Sequence, residues 1–166
     1  MKPQIVKSFL NAMELKRLKD TICSFYFPWF YQASVADEKK KEKETFYFTH
    51  MFYFGEKRCS QYYHAIEPLL NKLNIKTLIR AKANFYPNQG HQYIHPPHID
   101  FSYKHSGCLF SVNTTNGFTR FVDGTTVIGK ENQAMFFDPS ILHFSSTATD
   151  TKYRLNIQIN YLKNEH

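Results

Sequence analysis

"YRLNIQINYL", residues 153–162, alternates two kinds of side chain without a break. Arg154, Asn156, Gln158 and Asn160 occupy one set of positions, and Leu155, Ile157, Ile159 and Tyr161 the other. Successive side chains of a β-strand point to opposite faces, so this segment reads as a strand with one apolar and one wholly polar face. Such a polar face belongs either to a solvent-facing edge or to a strand that lines a site. Arg154 heads it, and its planar fork can grip a carboxylate with two parallel hydrogen bonds.

Working back from this strand, the texture from about residue 77 is uniform. Short β-rich runs, "TLIRAKANFYPNQG", "GCLFSVNTTNGFTRFVDGTTVIG" and "AMFFDPSILHFS", are separated by turn signals at Asn88–Gly90, Asn116–Gly117, Asp123–Gly124, Gly129 and Asp138–Pro139. Seven or eight strands in this space predict a sandwich or barrel. The first half differs. Asn11 and Glu14 form a capping-box pattern, and Leu15, Leu18, Ile22 and Phe25 recur at helical spacing, which predicts a helix over 12–25. "FYFPWFYQASV" (25–35) and "TFYFTHMFYF" (45–54) are extended aromatic runs that can pair across the charged loop 36–44. Ser60 can cap a second helix over 61–73, which Pro68 kinks or divides. The expected architecture is one α+β, β-dominated domain over 1–166. Residues 1–77 form a helical buttress and hairpin, and 78–162 form the β core.

Composition narrows the class. The 166 residues are 42% hydrophobic and 17% aromatic, which suits a folded chain with a real core. No apolar run approaches the roughly 20 residues of a membrane span. The N-terminus lacks the apolar stretch of a signal peptide, so the expected setting is intracellular, without membrane association. Cys23, Cys59 and Cys108 are odd in number and contain no CxxC pair, and they read as reduced, mostly buried thiols. The net charge of +7 is scattered, and it is compatible with nucleic acid, an anionic small molecule or an acidic partner.

Several of the 8 histidines bear on chemistry. In "HPPHID" (95–100), His98 and Asp100 stand two apart and share a strand face. An HxD pair is a weak signal alone. His91 and His95 stand four apart, but Gly90 and Pro96–Pro97 forbid the helix of a zinc HExxH site, and Gln92 replaces its Glu. A cupin would require HxH followed closely by Glu, which this chain lacks. His50 reads as a packed strand histidine, and His95 falls on the opposite strand face from His98. His143, in "FFDPSILHFSS", lies 43 residues after Asp100 and completes two His and one carboxylate, a set that suits Fe(II) and leaves positions open. Arg154 follows 11 residues later.

The ordered set His98–Asp100, His143, Arg154 resembles the Fe(II)- and 2-oxoglutarate-dependent dioxygenases, in particular their prolyl 4-hydroxylase-like branch. "NFYPNQGHQYIHPPHID", "LFSVNTTNGFTRFVDG" and "AMFFDPSILHFSS" each resemble a block of that branch, over about residues 78–162. The resemblance implies a double-stranded β-helix (jelly-roll) core with N-terminal supporting helices. It implies Fe(II) on His98, Asp100 and His143, and 2-oxoglutarate held by Arg154 and Tyr86. Ser111 stands where many relatives have a second tyrosine in contact with the co-substrate. O2 would be consumed, with ascorbate as an optional addition. Tyr103 and Asn156 are candidate substrate contacts, Tyr103 in the loop "FSYKHSG" (101–107). The implied reaction is hydroxylation of a C–H bond, with succinate and CO2 as co-products and a protein or peptide as substrate.

Two other readings remain. "NFY" (84–86) and "RLN" (154–156) also resemble elements of AlkB-like nucleic-acid demethylases, but the second arginine of that group would fall at Asn160. The third is a β-helix that only binds a metal or a partner. The intact set of four residues argues against that one. The small size would suit a compact microbial or virus-encoded enzyme.

Overall fold

The structure is a computed structural model and describes residues 2–34 and 46–164. The charged loop expected at 36–44 lies outside the described residues. A first strand, β1 (Gln4–Lys7), precedes the helix and has no counterpart in the sequence reading. In helix α1 (Ala12–Ile22) the capping box forms as expected: the Glu14 amide donates to Asn11 Oδ1 at 2.9 Å, and the Asn11 amide to Glu14 at 2.8 Å. The helix stops at Ile22, short of the expected residue 25, because the Ser24 amide turns back onto the Thr21 carbonyl. Phe25 therefore leaves the apolar stripe and is 95% exposed.

The aromatic runs pair as expected. Strand β2 (Phe30–Gln32) lies antiparallel to β3 (Tyr47–Phe54), which turns at Gly55 and Glu56 into the short β4 (Lys57–Arg58). Ser60 Oγ accepts the Tyr62 amide, and a 3₁₀ turn (Tyr63–Ile66) then gives way to α2 (Glu67–Leu70). Pro68 occupies the first turn of α2, where a missing N–H is tolerated, so the expected helix over 61–73 is divided in two. The thiols correct the expectation of burial. Cys23 ends α1 and Cys59 lies in a turn, and both are exposed; only Cys108 is buried.

Seven strands follow: β5 (Ile75–Pro87), β6 (Ser106–Ser111), β7 (Phe118–Phe121), β8 (Thr126–Ile128), β9 (Gln133–Phe137), β10 (His143–Ser145) and β11 (Tyr153–Lys163). The large sheet runs β1-β9-β6-β11-β5-β3-β2, with β4 on β3, and the small sheet runs β10-β7-β8. All pairs are antiparallel. Bridges Ile94–Ser146 and His98–His143 dock the 94–98 segment beside β10. The quoted strand, β11, is therefore no solvent-facing edge: β5 and β6 flank it.

One face of the large sheet makes the core. Leu155, Ile157 and Ile159 of β11 join Ala81 and Ala83 of β5 and Phe110 of β6 against Leu18 and Ile22 of α1 and Ile66 and Leu69. Cutting a buried isoleucine back to Ala in such a core costs about 2–5 kcal/mol. The other face of the sheet, with the polar positions of β5 and β11, turns toward the small sheet. Among the described residues no helix is long and apolar enough to cross a membrane.

Candidate active site

The antiparallel register of β5 and β11 sets Arg154 opposite Tyr86, Asn156 opposite Asn84, Gln158 opposite Lys82 and Asn160 opposite Arg80. Directly opposed residues share a face, so these four pairs form a polar ladder, and the first three of them line one side of a cleft. The small sheet contributes Thr119, His143 and Ser145 to the other side, with His98 between. Leu109 and Phe137 supply apolar lining to this cleft.

At one end, His98, Asp100 and His143 bring one ligand atom each to within 4.8 Å of one another. The two histidines exchange backbone hydrogen bonds, His98 N to His143 O at 2.8 Å and His143 N to His98 O at 3.0 Å. His143 Nδ1 donates to the Ile141 carbonyl at 2.8 Å, and His98 Nδ1 to the Pro96 carbonyl at 3.2 Å. A carbonyl can only accept, so both Nδ1 atoms carry the proton and both Nε2 lone pairs are free to bind a metal. Burial, then His143, holds His98 below the usual histidine range, which keeps it neutral at pH 7.

Asp100 is built in on both oxygens. Its side chain is 4% exposed. Oδ1 meets the Arg80 guanidinium at 3.0 Å, and Oδ2 accepts from Asn160 at 2.8 Å and from Gln158. Burial alone pushes this carboxyl up, but Arg80 and the Asn160 amide outweigh it and hold it below the usual carboxylate range. Behind them, His105 Nδ1 donates to the Tyr103 carbonyl, leaving Nε2 to accept from Asn160 at 3.0 Å.

At the other end lies Arg154, 4% exposed. Its guanidinium donates to the carbonyls of Phe118 at 2.9 Å and Ser146 at 2.7 Å, and to Thr119 Oγ1 at 3.2 Å. All three acceptors are neutral, and no carboxylate pairs with it among the described residues. Asn113 clamps the strand on either side of it, donating to Tyr153 O at 2.8 Å and accepting Leu155 N at 2.9 Å. Gly117 makes room for it: a Cβ there would meet Arg154 Cδ at 2.7 Å. A buried cation without a counter-ion beside a cleft fits a carboxylate ligand.

Tyr86, buried, lines the cleft beside Arg154, and burial keeps its hydroxyl protonated. Asn156, also buried, lines it and accepts from Asn84 at 2.9 Å. Ser111 lies behind Arg154, in a small separate pocket with Gly129 and Gln133. Tyr103 is half-exposed, stacked on Phe101 outside the cleft. His50 has both ring nitrogens engaged, by the Pro28 carbonyl and Ser60, as expected of a packed histidine. His95 is buried against Tyr86 with its Nδ1 on Ser145, and its Nε2 has no partner.

No family sequence model matches the chain, and no curated protein matches it in sequence. Solved structures do match it in shape. A carbocyclase, SnoK, described as non-heme and alpha-ketoglutarate dependent, from nogalamycin biosynthesis, superposes with a TM-score of 0.69 at 8% identity, over 97% of this chain and 79% of that one. A prolyl hydroxylase from Trichoplax adhaerens, solved with a hypoxia inducible factor peptide fragment, gives 0.66 at 14% identity, over 97% and 83%. An oxidoreductase of the 2OG-Fe(II) oxygenase family from Burkholderia pseudomallei gives 0.65 at 5% identity, over 98% and 88%. The chain has the fold of the 2-oxoglutarate- and Fe(II)-dependent oxygenases. The expected β-dominated jelly roll is therefore present, and its two sheets enclose the cleft just described. The structure also brings in Arg80, Lys82 and His105, which the sequence reading passed over, and gives Gln158 and Asn160, read there only as polar-face residues, a part in holding Asp100. For Arg80 and Lys82 a signal was available. "RAKANFY" (80–86) alternates polar and apolar positions just as 153–162 does.

Proposed function

We propose that the chain is an Fe(II)- and 2-oxoglutarate-dependent dioxygenase that hydroxylates a substrate C–H bond, working as one catalytic domain over residues 1–166. One observation carries the reading. Both histidines of a His-Asp-His set, with their Nε2 atoms bare, and a buried arginine without a counter-ion line the same cleft. His98, Asp100 and His143 would hold the metal, and Arg154 the far carboxylate of 2-oxoglutarate, with Tyr86 beside it. Bound iron and 2-oxoglutarate would supply O2 activation and oxidation of the C–H bond, leaving succinate and CO2.

The protein's part is placement. The backbone carbonyls of Pro96 and Ile141 fix the tautomer and aim of the two imidazoles. Arg80, Gln158 and Asn160 keep Asp100 ionised and oriented. Leu109 and Phe137 restrict water around the reacting atoms. The partly exposed His98 marks the side from which a substrate approaches.

The resemblance to prolyl hydroxylases and the Trichoplax neighbour with its peptide favour a protein or peptide substrate, with proline as the first residue to test. The nucleic-acid demethylase reading is weaker, because Asn160 stands where that group's second arginine would fall and is committed to Asp100. The test is anaerobic titration with Fe(II) and 2-oxoglutarate. A visible charge-transfer band is expected, strongly weakened in Arg154→Ala and absent in His98→Ala. No band, together with no consumption of 2-oxoglutarate in air, refutes the proposal. Proline-rich peptides and methylated oligonucleotides, offered in parallel, separate gain of an oxygen from loss of a methylene by mass.

A further inference from the structure

We infer that Lys82 forms a second anion subsite at the metal end of the cleft, and that the substrate carries a carboxylate close to the C–H bond it presents. This rests on the dioxygenase reading and adds to it a substrate class.

Lys82 projects from β5 on the same face as Asn84 and Tyr86, and its side chain lines the cleft. Its rung partner is Gln158, which donates to Asp100, so Lys82 belongs to the end where the metal ligands converge. The ammonium makes no hydrogen bond or ion pair with the described residues. The Tyr47 ring centre lies 6.0 Å away, and the charges of Arg80 and Asp100 also act on the ammonium, but Asp100 is already paired with Arg80. A partly buried ammonium facing a cleft without a paired anion is costly to keep unless a ligand supplies the counter-charge.

The charges make the same point. Asp100 is offset by Arg80 at 3.0 Å. A dicarboxylate co-substrate offsets a divalent metal. Arg154 and Lys82 then remain as two cationic side chains lining the cleft. These two cations are not interchangeable. Arg154 is tied to Phe118, Ser146 and Thr119 on the small-sheet side. Lys82 lies four residues before Tyr86, roughly 13 Å along the strand. One carboxylate on Arg154 leaves Lys82 free for another.

The test uses the whole chain loaded with Mn(II) under saturating 2-oxoglutarate, so that Arg154 is occupied. N-acetylproline and N-acetylglutamate are compared with N-acetylprolinamide and N-acetylglutamine. Binding is read from the paramagnetic broadening of probe signals, which also reports closeness to the metal. The wild type is expected to bind the acid of each pair about tenfold more tightly than the amide. Lys82→Met is expected to erase that preference and Lys82→Arg to keep part of it. The 2-oxoglutarate affinity of Lys82→Met, measured separately, is expected to stay within about threefold of wild type. Equal binding of acids and amides by the wild type overturns the inference. So does a preference that survives in Lys82→Met. A fall of 2-oxoglutarate affinity in Lys82→Met as large as in Arg154→Ala assigns the lysine to the co-substrate and also overturns it. A wild type that takes up neither metal nor 2-oxoglutarate instead refutes the dioxygenase reading beneath it.

Discussion

Asp100 and Arg154 are buried ionised groups at opposite ends of one cleft, and the protein treats them in opposite ways. Asp100 has a guanidinium on one oxygen and two amides on the other. Arg154 has three neutral acceptors and no anion. The difference separates what the fold completes for itself from what it leaves to a ligand. On the proposed function, a carboxylate that would hold a metal must be ionised and aimed before the metal arrives, and its neighbours secure both. A cation that would hold a co-substrate must keep its outer edge free, so its partners secure only its position. Substitutions at the two ends should therefore fail differently, one in stability and the other in binding.

The largest effect is expected at Arg80. Arg80→Met leaves the Asp100 charge buried without its counter-ion, a kind of loss that costs about 3–5 kcal/mol. Urea unfolding of the metal-free protein should show a clear drop in midpoint, and Arg80→Met with Asp100→Asn should recover part of it. If both variants unfold like wild type, Asp100 does not depend on Arg80. Arg154→Met should show the reverse profile. Its stability should fall by less than in Arg80→Met, because the cation removed had no anion and the loss is that of its hydrogen bonds to Phe118, Ser146 and Thr119. Its affinity for 2-oxoglutarate should fall on the order of 100-fold, the worth of a lost charge-assisted pair. Titration of the charge-transfer band measures this. A large loss of stability without loss of affinity would make Arg154 a structural residue.

The two ends were also unequally legible in sequence. Arg154 stands out because it heads an unbroken alternation, and His98, Asp100 and His143 stand out through order and spacing. Arg80 and Lys82 follow the same alternation on β5, the strand beside β11 in the sheet, but Ala81 and Ala83 are too small to mark the apolar face as Ile157 and Ile159 do. Their roles also depend on register. Gln158 stands opposite Lys82, and Asn160 opposite Arg80, only because β5 and β11 pair as they do across more than 70 residues. Strand number and turn residues pointed to a sandwich or barrel, and the jelly roll came from the resemblance carried by His98, Asp100, His143 and Arg154. β1 was not, because a four-residue edge strand is held by backbone pairing with β9, which leaves little pattern in side chains. The end of α1 escaped for a related reason: a backbone turn at Ser24 decided it, not the spacing of Phe25.

A third prediction uses pH. Burial, then Arg154, pushes His95 down to about 3, against an unfolded value near 6.5. The unfolded chain therefore binds the extra proton first. The stability from a neutral His95 is complete above about pH 6.5 and is lost as pH falls toward 3, by roughly 1.4 kcal/mol per pH unit at full slope. Asp100 acts in a lower window, because its depressed carboxyl contributes above the ordinary value of roughly 3.9 and loses that contribution only below it. Unfolding at pH 7.5, 6 and 5 should show wild type weakening more steeply than His95→Asn, whose amide can still bond Ser145 without titrating. Parallel slopes would remove His95 from the account.

The smallest effect tests how closely the Arg154 end is built. Gly117 has no unusual backbone angle, so its lack of a side chain is what matters. A methyl group there meets Arg154 Cδ at 2.7 Å and the Thr147 carbonyl at 3.2 Å. The carbonyl belongs to the backbone and yields little, so the arginine side chain must move. Overpacking of this kind costs about 1–3 kcal/mol in a well-packed core. Here the flexible arginine stem absorbs part of it, so Gly117→Ala should cost near the lower end in stability. The displaced guanidinium should no longer align with a carboxylate that Arg154 would otherwise meet squarely. A fall of about tenfold in 2-oxoglutarate affinity is expected, with Fe(II) binding to His98, Asp100 and His143 unchanged. That split would show that the two ends of the cleft are set independently. Equal losses of metal and co-substrate would instead mean that a strain at Arg154 travels down the ladder to Asp100.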